Sequence, residues 1–588
     1  MFYSIGLELS ATAAIAVSYL LSEKKEWVLT TNRWCNQILI KSCLFGVLVC
    51  SSTIFATPQE RPGDPLSTLS EELLIRFESG KIAFEQDLSI EDGLGPIFNQ
   101  TSCGSCHNNP VGGPGTQTVT RFGAIGKKGG FDPLADLGGS LLQAQAIDDA
   151  VAEFVPAEAN VTSLRVTNGI LAYGLVESIS DEDLLANRDA QPEGQRGEAH
   201  MVPSFEDPTD PLHVGRFGWK AQVATVLTFS ADAAQNEMGL SNRFVPFDNA
   251  PNGNIKLLAK YDNVSDPEDV TDEFGFDFID RVTDFQRFLA PPPQTPKFGM
   301  SGENVFNNVG CNVCHTPSFT TANDPQIESQ LRNVDIRPYG DFLLHNMGLA
   351  GDGIVQGDGD GQELKTPPLW GLAYRDPLWH DGRFSVGSFE SRIEDAIAEH
   401  GVFGSQGIPA ANAYAALSPS DKLSLIQFLG SLGQVEFDSD GDGDVELDDF
   451  HGYFDTVGFR NCFASNVTPD DPCAIHDYDQ DGDVDLDDFT YFIVVFDDEL
   501  ADCNENNTHD ILEILLGQAI DDDNDGVIDD CQGCTGDLDG DSTIGVTEIL
   551  AIIEAWGPCI DCPADIDQNG VVNVTDLLYI VANWGSCP

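Results

Sequence analysis

The feature that most constrains this chain is a pair of C-x-x-C-H motifs, Cys103-Gly-Ser-Cys106-His107 and Cys311-Asn-Val-Cys314-His315. Each has the spacing that lets two thiols bond the vinyl groups of a haem while the adjacent imidazole ligates the iron. A zinc site or a redox dithiol would use the same cysteine pair. Two independent copies, each with His directly after the second cysteine, point instead to two covalently bound c-type haems.

The remaining cysteines bear on the compartment. Two apolar stretches, Gly6 to Leu21 and Leu44 to Ala56, open the chain; the second follows Arg33 and Lys41 and ends in small residues, which reads as a secretory leader over residues 1–56. Removing it takes Cys35, Cys43 and Cys50. Eight further cysteines then fall after residue 460, at Cys462, Cys473, Cys503, Cys531, Cys534, Cys559, Cys562 and Cys587, an even number suited to disulfides in an oxidising compartment. The expectation is an exported protein, periplasmic, cell-surface or extracellular. With 29 Lys and Arg against 96 Asp and Glu, the formal charge is -67, which excludes nucleic acid and anionic lipid surfaces as partners and makes cations the natural ones. A length of 588 residues calls for several domains.

Five blocks around the motifs carry a family likeness: GLGPIFNQTSCGSCHNNPVGG at the first motif, then GRFGWKAQVAT, NEMGL, IRPYGDFLLHNMG and LKTPPLWGLAYRDPLWHDGR. In this order, over roughly Leu66 to Gly433, the chain resembles the dihaem oxidoreductase family, which is related to bacterial dihaem cytochrome c peroxidases. The resemblance implies that the first haem is the reactive one and that the second relays electrons. It also implies roles for particular residues. Glu237 in NEMGL matches the glutamate that moves a proton during peroxide cleavage, and Trp219 in RFGWK matches a tryptophan between the haems; an exposed acid and a core tryptophan are the plain alternatives. Pro377 matches one carbonyl donor to a calcium ion found between the haems of relatives.

The axial ligands follow from a count of histidines. His107 and His315 are the proximal ligands. Between His107 and His200 there is no histidine, and where the peroxidases carry a removable distal histidine this chain has VGGPGTQTVTRFG. The first iron is therefore expected to be open, or held by a ligand of another type. For the second, the resemblance puts the opposite ligand beyond the His380-Asp381-Gly382-Arg383 block, at His400. His345 and Met347 are competing candidates, and a histidine at a helix end is also commonly just packed there.

After Gly433 the composition shifts to Asp, Gly and Asn, and a calcium loop repeats. Acids occupy positions 1, 3, 5 and 12 in Asp438, Asp440, Asp442 and Asp449, and again in Asp477, Asp479, Asp481 and Asp488. A third copy has Asp537, Asp539, Asp541 and Glu548, and a fourth Asp565, Asp567, Asn569 and Asp576; degenerate copies start near Asp502 and Asp521. Each good loop runs into a short apolar helix, as in TEILAIIEAWG, with no matching helix before it, a half EF-hand that resembles dockerin modules. Cys534 and Cys559 share their separation with Cys562 and Cys587, so the spacing suggests two units, each stapled by its own bridge, leaving Cys462 with Cys473 and Cys503 with Cys531.

The expected fold is mainly α: a first cytochrome-c-like haem domain over 57–300, a second over 301–433, EF-hand-like repeats over 434–500, degenerate repeats over 501–533, and a dockerin-like loop pair over 534–588. Three functions fit. The first is an oxidoreductase, cytochrome c peroxidase-like, with hydrogen peroxide or an oxidisable molecule as substrate and a redox protein or small molecule as electron donor. The second is a dihaem electron carrier. The third is a calcium-dependent surface-binding protein whose tail meets a cohesin-like or cell-surface partner.

Overall fold

The computed structural model describes residues 58–586 except 207–208, 210–211, 267–269, 273, 453–455, 522–523, 530–535, 540–542, 560–561 and 568. The leader expected over 1–56, Cys531, Cys534, Asp541 and Cys587 lie outside the described residues. Two compact units divide the chain: residues 58–443 with 468–475, and residues 444–467 with 476–588. Both C-x-x-C-H motifs fall in the first.

That unit is built on two apolar cores. The first gathers around two crossing helices, Glu71–Glu85 and Phe278–Phe288. Ser70 caps the first helix, and Asp277 and Asp280 form a capping box at the start of the second, satisfying amide groups that the helix cannot pair itself. The helices cross at Gly80, where a Cβ would stand 2.3 Å from the Arg281 carbonyl oxygen, so only glycine permits the approach. Phe77 and Phe84 meet Phe285 at ring distances of 5.2 and 4.8 Å, and Arg76 pairs with Asp284. The same device recurs in the second core, where helix Ser301–Val309 lies on helix Pro419–Ser431 and a Cβ on Gly302 would meet the Ser424 carbonyl at 1.9 Å.

Helix makes up 35% of the structure and strand 12%, so mainly α describes the chain incompletely. Between the helices of the first core runs a four-stranded antiparallel sheet, with strand Thr118–Ile125 paired to Phe131–Asp132, Leu141–Leu142 and Val161–Val166. The glycine-rich run after the first motif is thus the lead-in to a strand whose β-branched and aromatic residues suit a pleated surface.

Strand Val161–Val166 brings in Arg165, whose guanidinium donates to Asp352 at 3.0 and 2.6 Å. Lys220 reaches the same carboxylate at 2.8 Å and also donates to the carbonyls of Asp360 and Glu363. All three charged groups are withdrawn from water. Burial alone would raise the Asp352 carboxyl, but the two cations hold it below the usual carboxylate range.

In the second unit the closing acid of each loop doubles as a helix cap. Asp488 and Asp576 accept from the amides of Asp485 and Asn573, and Glu548 from that of Gly545, three residues back in each case. Helices Val546–Glu554 and Val574–Ala582 pack over Ile544, Ile552, Val572 and Ile580. The strands at their ends exchange partners: Thr543–Ile544 pairs with Gly585–Ser586, and Gly557–Pro558 with Val571–Val572. That exchange corrects the expected disulfides. Cys559, held by its amide to the Gly570 carbonyl, bonds to Cys562, with their Cα atoms 6.0 Å apart. The bridge therefore closes the turn between the two loops instead of stapling either one.

Each helix leaves an apolar stripe outside, Val546, Leu550, Ile553 and Trp556 on one and Val574, Leu578, Val581 and Trp584 on the other, all more than half exposed. Among the described residues no helix is long and apolar enough to cross a membrane.

Replacing Asp352 by Asn leaves Arg165 and Lys220 buried without a counter-charge, and should cost about 3–5 kcal/mol of stability. Urea denaturation followed through the tryptophans of the larger unit checks it; a loss below about 1 kcal/mol, the size of a surface pair, would show the cluster to be hydrated in solution.

Candidate haem sites

The two motifs adopt one local conformation. In each the histidine amide donates to the carbonyl of the first cysteine, His107 to Cys103 at 3.1 Å and His315 to Cys311 at 2.9 Å, closing a single turn. Cys103, Cys106, Cys311 and Cys314 are all free thiols, whereas Cys462, Cys473, Cys503, Cys559 and Cys562 are disulfide-bonded. Burial pushes the Cys103 and Cys311 thiols up to about 12 and Cys106 to about 11.

Each motif borders its own cavity. Around the second, His315 and His400 face each other with ring centroids 6.5 Å apart. Two imidazoles bound to one metal, each through a ring nitrogen at about 2 Å, bring their ring centres to about 6 Å. The other nitrogens are committed: His315 Nδ1 lies 3.0 Å from the Tyr339 carbonyl and His400 Nδ1 2.7 Å from that of Ala396, so as donors both leave Nε2 for a metal. Burial lowers both imidazoles, His315 to about 4, which keeps them neutral and able to ligate. His345 differs. Its Nε2 meets Asp341 at 2.8 Å and its Nδ1 lies 3.6 Å from Cys314 Sγ, leaving neither nitrogen free, and although burial opposes it the Asp341 charge holds the ring well above its ordinary range. Met347 also borders this cavity. These residues fit a haem held between two histidines.

The first cavity is bordered by Cys103, Cys106 and His107, with Phe84 at a ring distance of 6.0 Å from His107. Among the described residues that line it, His107 is the single histidine. Helix Val226–Met238, capped by Thr225 and ended by Gly239 in the left-handed conformation, presents Glu237 in its last turn. The end is fixed by a close approach of Gly239 to Gly95 and by Asn99, whose amide donates to the Glu237 carbonyl at 2.7 Å and whose side chain donates to its carboxylate at 2.6 Å. Glu237 lies deep in the molecule with part of its surface open to the cavity. Burial pushes its carboxyl up, offset in part by Asn99 and Arg121.

Trp219 borders both cavities. Its Nε1 donates to the Val166 carbonyl at 3.0 Å, and its ring meets His380 edge-on at 6.2 Å. Pro377 borders the second cavity. Arg121 and Arg165 border the first cavity and Lys365 and Arg375 the second; Arg121 lies in the run VGGPGTQTVTRFG and Lys365 and Arg375 in the block LKTPPLWGLAYRDPLWHDGR, but no spacing there marks them for a role.

In the tail, carboxylate oxygens of Asp477, Asp479 and Asp488 lie within 4.8 Å of one another, as do those of Asp537, Asp539 and Glu548, and of Asp565, Asp567 and Asp576. Asp481 does not join the first of these groups, and its amide donates to Asp479; the Asn569 amide donates to Asp565 and Asp567. The loop starting at Asp438 straddles the division between the units: on one side Asp438 accepts from Gly441 and Gly443 and Asp440 from Asp442, and on the other Asp449 accepts from Glu446. The degenerate copy at Asp502 is more complete than it read, since Asn504 and Asn506 both donate to Glu513 at the closing position.

Residues 146–432 match the model of the family described as "Di-haem oxidoreductase, putative peroxidase". The match takes in the second motif, Trp219, Glu237 and His400, and begins after the first motif. This part of the chain is similar to that dihaem family, a likeness that supports haem as its cofactor. Similar solved structures include a MauG-like protein associated with microbial copper homeostasis, at 15% identity over 64% of this chain and 93% of that one with a TM-score of 0.29. Another is hydrazine synthase of Kuenenia stuttgartiensis, at 14% identity over 66% and 99% with a TM-score of 0.27. No curated protein sequence matches the chain.

His400→Ala should turn the second haem from low-spin to high-spin while both haems stay attached. Low-temperature EPR reads the change, and an unaltered spectrum would pass the ligand role to Met347.

Proposed function

We propose that this is an exported dihaem enzyme in which a haem closed between His315 and His400 relays electrons to an open haem at His107, where peroxide is reduced. The observation that carries the reading is the difference between the two cavities. One offers a facing pair of imidazoles; the other offers one imidazole and a carboxyl raised by burial.

Haem, when bound, would supply an iron that exchanges electrons and can accept a small oxidant. The chain does the rest. A carboxyl raised by burial can take a proton from one peroxide oxygen and return it to the departing one, and Asn99 holds Glu237 in place for that exchange. Trp219, between the cavities with its indole N–H tied to Val166, offers an aromatic path from one haem to the other. A fixed ring suits electron transfer because it need not reorganise as charge passes. The pure electron carrier would need both irons closed, and among the described residues the first cavity supplies no second histidine for that.

The test combines EPR with kinetics. Oxidised wild type should show one high-spin and one low-spin haem. Glu237→Gln should leave that spectrum intact and slow the reaction with peroxide by about 10²-fold or more. Two low-spin haems in the wild type would favour the carrier, and equal rates for the variant would reduce Glu237 to scaffold.

For the tail the reading is calcium binding at the carboxylate groups of its loops, with attachment to a cohesin-like or other cell-surface partner through the two apolar stripes. Three acids crowded together are costly without a cation: burial first, then neighbouring acids, push Asp477 up to about 6, and burial pushes Asp488 up to about 7. Groups raised in the folded state bind protons more tightly there than in the unfolded chain, so their stabilisation is complete at low pH and is lost as pH rises through the folded values. In chelator, the tail should therefore become more open to proteolysis from pH 4 to about pH 7, and calcium should abolish that trend without altering the haem spectra. A tail equally resistant at pH 7 with and without calcium would sink this reading.

A further inference from the structure

Lys365 and Arg375 border the cavity of the second motif; Lys365 is buried and Arg375 largely so, and neither has a carboxylate partner among the described residues. Lys365 follows Leu364 at the end of strand Glu363–Lys365, which pairs with Leu344–Asn346, and its amide donates to the Trp219 carbonyl. Its ammonium makes one long contact, 3.4 Å to the Thr366 carbonyl, and lies 5.7 Å from the centre of the Phe342 ring. The carboxylate whose charge it senses, Asp341, is already committed to His345, Gln191 and the Leu343 amide. Arg375 is in the same position. Among the described residues its Nε has no hydrogen-bond partner, and the groups that favour its charge are the phenols of Tyr374 and Tyr173.

Elsewhere in this unit several buried cations are answered by carboxylates, although Arg121 on the first cavity, whose Nε has no hydrogen-bond partner among the described residues, is not. Arg165 and Lys220 share Asp352, Arg216 meets Asp181, and Arg287 meets Glu177. Two like charges left together beside an apolar cavity are costly unless something anionic completes them. Haem carries two carboxylates on one edge of an otherwise apolar disc.

We infer that Lys365 and Arg375 form the binding site for the carboxylates of the second haem and, by their charge, raise its reduction potential. The inference rests on the reading that Cys311 and Cys314 carry a haem, which the mass of the intact chain tests separately. A positive charge beside the porphyrin favours the reduced iron, which carries one positive charge fewer than the oxidised iron. The cations would thus offset the low potential expected of an iron held by two histidines and keep the relay haem reducible by a donor.

The experiment is spectroelectrochemical titration of the dihaem protein, with the two haems resolved by their spectra. Lys365→Met should shift the second haem toward the oxidised form by at least tenfold in the one-electron equilibrium, about 59 mV lower, and move the first haem less. Lys365→Arg should hold the wild-type value. A second-haem potential unmoved in Lys365→Met overturns the proposal. So does an equal fall in Lys365→Arg, which would trace the effect to packing. Should Lys365→Met fail to retain haem, Arg375→Gln set against Arg375→Lys decides by the same two comparisons.

Discussion

The carboxylate of Asp352, shut away from water between Arg165 and Lys220, is the interaction on which the geometry of the larger unit depends. It ties together three segments far apart in sequence: the strand that ends at Val166, the turn carrying Trp219, and the loop running from Asp352 to Glu363. Val166 supplies the carbonyl that fixes the Trp219 indole, and Lys220 adjoins that tryptophan in the chain. An ion cluster of this kind adds little net stability over an apolar filling of equal volume, but its geometry is demanding. What it contributes is position, holding an aromatic ring at the boundary of two cavities.

Those cavities begin from the same local turn and diverge through what the rest of the chain brings to them. At His315 a long helix delivers a second imidazole, with its Nδ1 satisfied by its own backbone. At His107 the corresponding contribution is a helix end bearing a carboxylate, held by Asn99 and bordered by Arg121. Haem chemistry depends on axial ligands, nearby charge and access to solvent, so a difference in neighbours is enough to separate a relay from a reactive centre.

What was legible in the sequence is what short spacing determines. The motif turns close within five residues, and the loop acids sit at fixed offsets and cap their own helices. What was not legible depends on partners far along the chain. His345 and His400 look alike in sequence, and only Asp341 and Cys314, folded against the former, distinguish them. The strand Thr118–Ile125 follows a glycine-rich run that gives no sign of the sheet awaiting it, and its main partner begins at Val161. Lys365 and Arg375 stand inside the block LKTPPLWGLAYRDPLWHDGR, yet a basic residue there carries no spacing that marks it, and only the folded chain brings the two to one cavity. The cysteine spacing misled for a related reason, since equal intervals reflect a duplicated sequence while bridges follow the path of the folded chain.

The exchange of strands in the tail bears on how such repeats are gained and lost. Thr543–Ile544 finds its partner beyond the last helix, and Gly557–Pro558 finds its own inside the following loop. A chain stopping after Trp556 would retain one whole loop and one whole helix, yet neither strand pair would survive. A single repeat recognisable in sequence is thus half a folding unit. The piece that duplication can add, or truncation can remove, without leaving unpaired strands behind is the pair.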